Sequence, residues 1–64
     1  MSQEYNPRTL GDCQPEDTVM TEQGPVRYLR KSKSPGGWIW VWRPNGTEVE
    51  LHQSTRVKIA SKTL

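Results

Sequence analysis

The chain has 64 residues, of which 31% are hydrophobic, with no Phe, one Cys and a net charge of +2. A chain this short forms one small domain, which buries only about 60% of the surface that its unfolded form exposes. A single Cys excludes an internal disulfide, and no run approaches the roughly 18 apolar residues of a membrane span. Because no apolar stretch typical of a secretion signal lies near Met1, we expect a cytoplasmic protein.

Charge is distributed unevenly along the chain. Residues 1–22 carry one basic and five acidic side chains, a balance of −4, whereas residues 23–64 carry eight basic and two acidic ones, a balance of +6. This asymmetry favours either an anionic partner or an acidic arm that folds back over a basic surface. Ordinary solvated surface charge is the alternative interpretation.

Turn-forming residues divide the chain into an arm and five strands. Residues 1–16 contain Pro, Gly and few apolar groups, which predicts an irregular, acidic N-terminal arm from which Tyr5 and Leu10 could dock on the domain. Residues 31–37 are rich in Lys, Ser and Gly and predict a basic, solvent-exposed loop. The predicted strands are residues 18–21, 25–30, 37–43, 47–52 and 56–59, and residues 61–64 are predicted to be a C-terminal tail.

All three tryptophans fall on alternate positions of the third strand. Since successive side chains of a strand point to opposite faces, Trp38, Trp40 and Trp42 share one face. The turn that follows, Arg43-Pro44-Asn45-Gly46, suits a type I turn with Gly in the left-handed conformation. In a hairpin this turn gives a three-residue loop with a glycine bulge.

The choice of turn decides whether the tryptophans are exposed. The three-residue loop pairs Trp42 with Glu48 and Trp40 with Glu50, leaving the aliphatic residues of both strands for the core. A two-residue Asn45-Gly46 loop would shift the register by one residue and bury the indoles. The proline before Asn-Gly favours the first register. Because the chain has no Phe, we expect at least one tryptophan, at an end of the strand, to be half-buried.

The strands and turns predict an all-β fold, a small five-stranded antiparallel barrel over residues 17–60. Closure would remove the exposed edges of so small a sheet. The segments Asp17-Thr18-Val19, Gly24, Gly37-Trp38, Asn45-Gly46-Thr47 and Arg56-Val57-Lys58-Ile59 form a pattern of strands and turns that resembles the SH3-like barrels of the Tudor and KOW type. The resemblance implies a fold and transfers no functional residue.

Catalytic and metal-binding signals are weak. Cys13, a potential nucleophile, and His52, a potential base, are the only Cys and His of the chain. Cys13 lies in the predicted arm and His52 at a predicted strand end, where no feature of the sequence fixes the geometry of the pair. One Cys and one His do not complete a zinc site, and no glycine-rich run matches a phosphate-binding loop. The sequence therefore predicts a protein that is not an enzyme and needs no cofactor or metal.

Three classes of binding partner remain. Single-stranded DNA or RNA would stack its bases on the indoles while basic side chains neutralise phosphates. A protein partner would use the tryptophans as a hot spot, with the glutamates meeting a basic segment or a methylated lysine. A homo-oligomer would bury the same face. Nucleic acid is the favoured hypothesis. A basic loop on the same side of the domain as the tryptophans would support it. The candidate binding residues are Trp38, Trp40, Trp42, Arg27, Arg30, Lys31, Lys33, Arg43, Glu48 and Glu50.

Overall fold

The computed structural model describes residues 2–63, which form an antiparallel sheet of six strands. The order across the sheet is β1-β6-β2-β3-β4-β5, so that β2 to β5 form a meander and β6 returns to pair with β2. One 3₁₀ turn, Leu10–Asp12, lies between β1 and β2. The strands are β1 (Ser2–Tyr5), β2 (Thr18–Thr21), β3 (Gly24–Lys31), β4 (Trp38–Trp42), β5 (Glu48–His52) and β6 (Val57–Thr63).

The prediction of an all-β fold is confirmed, whereas the prediction of a five-stranded closed barrel is wrong. The sheet has six strands and is open, with β1 and β5 at its two edges. Closure was expected because an exposed edge presents unpaired backbone groups. On β5, the side chains of Glu48 and Glu50 give the edge negative charge, which is one of the ways in which proteins keep an open edge from pairing with another chain.

The predicted irregular arm and C-terminal tail both contribute to the sheet. Strand β6 continues to Thr63, well beyond the predicted end at Ile59, and pairs with β2 on one side. On its other side it pairs with β1, which places Tyr5 opposite Ala60. Neither segment has a clear apolar alternation, and the pairing arises because the edge of β6 supplies backbone partners. The predicted tail residue Leu64 lies outside the described residues.

The arm also packs against the core through Leu10 and Tyr5, as the sequence predicts. Leu10 is completely buried, and Tyr5 packs against the core cluster. The 3₁₀ turn is held by the Leu10 N–H, which donates to the Thr55 carbonyl at 2.8 Å, and by the Gly11 N–H, which donates to the Gln53 carbonyl at 2.9 Å. The arm is therefore part of the folded domain.

A polar cluster connects the arm to the start of β2. Asp17 is almost completely buried, and its Oδ2 accepts hydrogen bonds from the Tyr5 hydroxyl and, at 3.0 Å, from the Gln14 N–H. Burial, followed by this hydrogen bond to Asp17, raises the pKa of Tyr5 above its ordinary value. Both donors satisfy a carboxylate that would otherwise be costly to bury.

The hairpin of β4 and β5 has the register that the three-residue loop predicts. The Arg43 N–H donates to the Thr47 carbonyl at 2.8 Å, and the Gly46 N–H donates to the Arg43 carbonyl at 2.9 Å. Gly46 has a φ of 88°, the left-handed conformation that this turn needs. The Asn45 side chain accepts from the Thr47 N–H at 3.0 Å and so stabilises the turn. Turn chemistry in four residues thus sets which face of β4 is buried.

Candidate functional site

The three tryptophans lie on the outer surface of β4, and we call this surface the tryptophan face. Trp38 and Trp42 are 40% and 41% exposed, and Trp40 is half-buried, whereas the intervening Ile39 and Val41 belong to the core. The expectation that at least one tryptophan is half-buried is confirmed, but this tryptophan is the central Trp40 and not one at an end of the strand. The central indole is the more covered one because it has side chains on both neighbouring strands and on both sides along its own strand.

Opposite charges flank the tryptophan face. On β3, which pairs with β4 on one side, arginines lie opposite two of the tryptophans, and on β5, which pairs with β4 on the other side, glutamates lie opposite the same two. Each of these indoles therefore lies between a guanidinium and a carboxylate. The cross-strand neighbours are Arg27 and Glu48 for Trp42, and Arg30 and Glu50 for Trp40.

Arg30 reaches across the face from β3 to β5. Its guanidinium carbon lies 5.7 Å from the centroid of the Trp40 ring, and its Nη1 lies 3.6 Å from Oε1 of Glu48. Both charged side chains are more than half exposed, so the ion pair contributes at most about 1 kcal/mol. An anion that approaches Trp40 can replace Glu48 as the partner of Arg30 at little cost.

Glu50 has a different environment from Glu48. It is half-buried, and its Oε2 is inaccessible to solvent and has no hydrogen-bond partner in the described part of the chain. The pair Trp40 and Glu50 alternates with hydrogen-bonded pairs of the hairpin, and side chains of such non-hydrogen-bonded pairs approach each other closely. A carboxylate short of a donor thus lies directly beside the Trp40 ring.

The basic loop borders the tryptophan face at Trp40 through residues 31–34. Lys31 itself is the last residue of β3 and lies opposite the core residue Ile39, so strand alternation places its side chain on the inner face of the sheet. A hollow of about 390 Å³ lies between the loop and Trp40. Sequence reasoning did not include the two serines of this hollow, although their alternation with lysines in the loop was a signal, because hydroxyl groups commonly donate to phosphate oxygens. The hollow is lined by Arg30, Lys31, Ser32, Lys33, Ser34 and Trp40.

The Trp38 end of the face is partly covered. The ring of Trp38 meets the His52 ring edge-on, with centroids 5.3 Å apart and an interplanar angle of 84°. Gly36 approaches so closely that a Cβ there would lie 3.1 Å from Nε1 of Trp38. Lys31 and Trp38 line a second hollow of about 200 Å³ beneath the loop. Trp38 is thus held in place by its neighbours, and its side chain remains as exposed as that of Trp42.

The Trp42 end has a more apolar character. A hollow of about 140 Å³ lies between Trp42 and Arg27, and two prolines that the sequence did not mark as site residues contribute to it. Pro25 is the second residue of β3, and Pro44 belongs to the turn between β4 and β5. This end offers an apolar pocket beside one guanidinium, in contrast to the basic hollow at Trp40.

Arg43 is the candidate residue that lies apart from the others. It follows Trp42 and therefore points to the opposite face of the sheet. Its Nη2 donates to Oε1 of Gln23 at 3.3 Å, in the turn between β2 and β3. Its positive charge suggested a role, but strand alternation directs it away from the tryptophan face.

Cys13 and His52 lie in separate environments. Cys13 belongs to the core, and burial raises the pKa of its thiol, which disfavours the reactive thiolate. The ring of His52 contacts Trp38, and its Nδ1 accepts from the Ser54 N–H at 3.1 Å. Within residues 2–63, no three His, Cys, Asp or Glu side chains are grouped so as to hold a metal ion, and no helix is long and apolar enough to cross a membrane.

In comparisons with known proteins, no family model matches the chain, and no curated protein or solved structure is found to be similar to it.

Proposed function

We propose that this protein is a non-enzymatic binding module that holds single-stranded nucleic acid across the tryptophan face. The observation that carries the proposal is the hollow at Trp40, where an aromatic ring and the basic side chains Arg30, Lys31 and Lys33 line one surface. Aromatic rings for bases and nearby cations for phosphates are the two elements of single-strand recognition.

The spacing along β4 suits a single strand. Alternate residues of a strand lie about 6.6 Å apart, so that successive indoles meet successive bases of an extended chain. Each stacked base contributes about 1–3 kcal/mol. Trp40 and Trp42 are the main stacking positions because they lie opposite the cations of β3, Arg30 and Arg27, whereas Trp38, although as exposed as Trp42, has no arginine opposite it on β3. Phosphates then lie toward β3 and the basic loop, where they replace Glu48 as the partner of Arg30.

We also propose that residues 17–60 share the strand connectivity of the SH3-like folds, in an open sheet to which β1 adds a sixth strand. The meander of β2 to β5 and the return of β6 to the side of β2 support this proposal. Small β-folds of this kind commonly bind ligands on one sheet face.

The test is tryptophan fluorescence, with acrylamide quenching, in the presence and absence of a short single-stranded oligonucleotide. We expect the oligonucleotide to shield the indoles, with an affinity that falls steeply as salt rises. Lys33→Gln should lower the slope of log affinity against log salt by about 0.7 if Lys33 contacts one phosphate. Lys58→Gln, which makes the same change of charge at an exposed position of β6, is the matched control and should change the slope little. An oligonucleotide that leaves quenching unchanged at low salt would refute the proposal.

A protein partner is the second candidate, and the apolar hollow beside Trp42 favours it. With two prolines and a single guanidinium, this hollow suits an apolar side chain of a protein partner better than it suits the phosphates of a nucleic acid. The two candidates rank the tryptophans differently. Nucleic acid predicts the larger loss of binding for Trp40→Ala, whereas a protein anchored at the apolar hollow, or a second copy of this chain, predicts it for Trp42→Ala. Sedimentation over a range of protein concentrations identifies self-association.

A further inference from the structure

We propose that the tryptophan face selects single strands whose bases carry an exocyclic amino group, preferring cytosine to uracil, and that Glu50 is the residue that distinguishes them. This inference rests on the proposed function and specifies the bases that the site accepts.

The charges around Trp40 orient a stacked base. Arg30 extends from β3 over the Trp40 ring toward Glu48, Lys33 lies in the loop that follows β3, and Glu50 lies opposite Trp40 on β5. A base that stacks on Trp40 moves the guanidinium back toward β3 and the basic loop. A nucleotide whose phosphate lies toward the cations therefore turns its base edge toward Glu50. The reverse orientation would bring phosphate against a carboxylate and leave the cations without an anion.

Glu50 needs the kind of group that an amino-bearing base supplies. An ionised carboxylate only accepts hydrogen bonds, and Oε2 of Glu50 has no donor in the described part of the chain. An unsatisfied buried acceptor gains from any donor that reaches it, because its desolvation has already occurred. The terminal torsion of Glu is broad, so that a small rotation presents the carboxylate to a base on Trp40.

Cytosine and uracil differ in the group that Glu50 would contact. Cytosine presents an amino donor at ring position 4, and acidic side chains characteristically accept from it. Uracil presents a carbonyl oxygen at that position. This oxygen and the carboxylate of Glu50 are both hydrogen-bond acceptors and cannot bond to each other. The rings are otherwise alike in size and stacking surface, so that a difference in affinity between them reports hydrogen bonding.

Glu48 provides the internal control. It lies on the same strand two residues away, but its carboxylate already has Arg30 as a partner at 3.6 Å. It therefore lacks the unmet acceptor that distinguishes Glu50. Its effect on a nucleic acid should be competition with phosphate for Arg30, which acts equally on every base.

The experiment compares oligo(dC) and oligo(dU) of equal length, titrated into the full chain by fluorescence at slightly alkaline pH, where cytosine is unprotonated. We expect oligo(dC) to bind up to about tenfold more tightly, since a good bidentate base contact discriminates by about 1–3 kcal/mol, a single acceptor supplies the lower part of this range, and 1.4 kcal/mol is tenfold. Glu50→Gln should abolish most of this ratio, because an amide both donates and accepts. Glu48→Gln should tighten binding of both oligonucleotides and leave the ratio unchanged.

Each failure has a separate meaning. Equal binding of oligo(dC) and oligo(dU) to the unmodified protein overturns the inference and leaves the proposed function intact, whereas no binding of either refutes the proposed function itself. A ratio that survives Glu50→Gln, or that Glu48→Gln removes, overturns the role of Glu50. If Glu50→Gln does not fold, as judged by circular dichroism, the ratio for the unmodified protein still decides whether the preference exists.

Discussion

The two faces of β4 differ in exposure, and the face with the larger side chains is the more exposed one. Ile39 and Val41 are 1% and 0% exposed, whereas the much larger Trp38 and Trp42 are 40% and 41% exposed. A small domain gains stability from every large apolar side chain that it buries. Here the core is built from aliphatic side chains, one cysteine and one tyrosine, while two of the three indoles keep about two fifths of their surface in water. Stability and the binding that we propose are therefore assigned to opposite faces of one strand.

The largest expected effect tests that assignment directly. Ile39→Ala should cost about 2–5 kcal/mol of unfolding free energy, because it leaves a cavity in a filled core. Trp42→Ala should cost less than Ile39→Ala although it removes more atoms, because much of the indole is exposed in the folded protein. Urea denaturation of both variants measures the difference. A larger loss for Trp42→Ala would mean that the tryptophan face supports the fold.

A second variant tests the core side of the sheet far from the tryptophans. Tyr5→Phe removes a hydroxyl donor from buried Asp17 and should cost about 1.5–3 kcal/mol at neutral pH. Oligonucleotide binding by the folded variant should be unchanged. A loss of binding without a loss of stability would contradict the separation of the two faces.

The same variant has a defined pH dependence. Because the pKa of Tyr5 is raised in the folded state, the protonated hydroxyl contributes stability below the unfolded value of about 10 and loses that contribution as the pH rises further. The difference in unfolding free energy between the wild type and Tyr5→Phe should therefore be constant near neutrality and shrink above about pH 10. Burial raises the pKa of Cys13 and its hydrogen bond with Tyr5 lowers it, so Tyr5→Phe also alters the titration of the thiol, and the same comparison in a Cys13→Ser background isolates the tyrosine.

The smallest effect concerns two glycines in the left-handed conformation. Gly37 and Gly46 have φ angles of 77° and 88°, so that Ala at either position should cost about 1–2 kcal/mol. A Cβ on Gly37 also meets the end of the Gln53 side chain, which is exposed and can move aside. Gly37→Ala should in addition weaken oligonucleotide binding, because Gly37 ends the basic loop whose Lys33 and Ser34 line the hollow at Trp40. Gly46→Ala is the matched control, and equal binding by both variants would argue against a role for the basic loop.

Local turn chemistry made the central part of the fold predictable from sequence. Proline before Asn-Gly selects one loop length, and this loop length sets the register of β4 and β5 and hence the face of every side chain on them. The positions of β2 to β5 follow from the same alternation and turn signals. Strand β1 and the extension of β6 could not be predicted in this way, since both depend on edge pairing between segments more than fifty residues apart.

The sequence by itself determined that the tryptophans share a face with the glutamates, because the alternation of a strand and the length of a turn are local properties of the backbone. Only the tertiary structure decided that the basic loop lies beside Trp40, that Arg30 pairs with Glu48, and that Glu50 has an unmet acceptor. These relationships join three strands and a loop. They depend on how the sheet brings distant residues within a few ångströms, which no local pattern encodes.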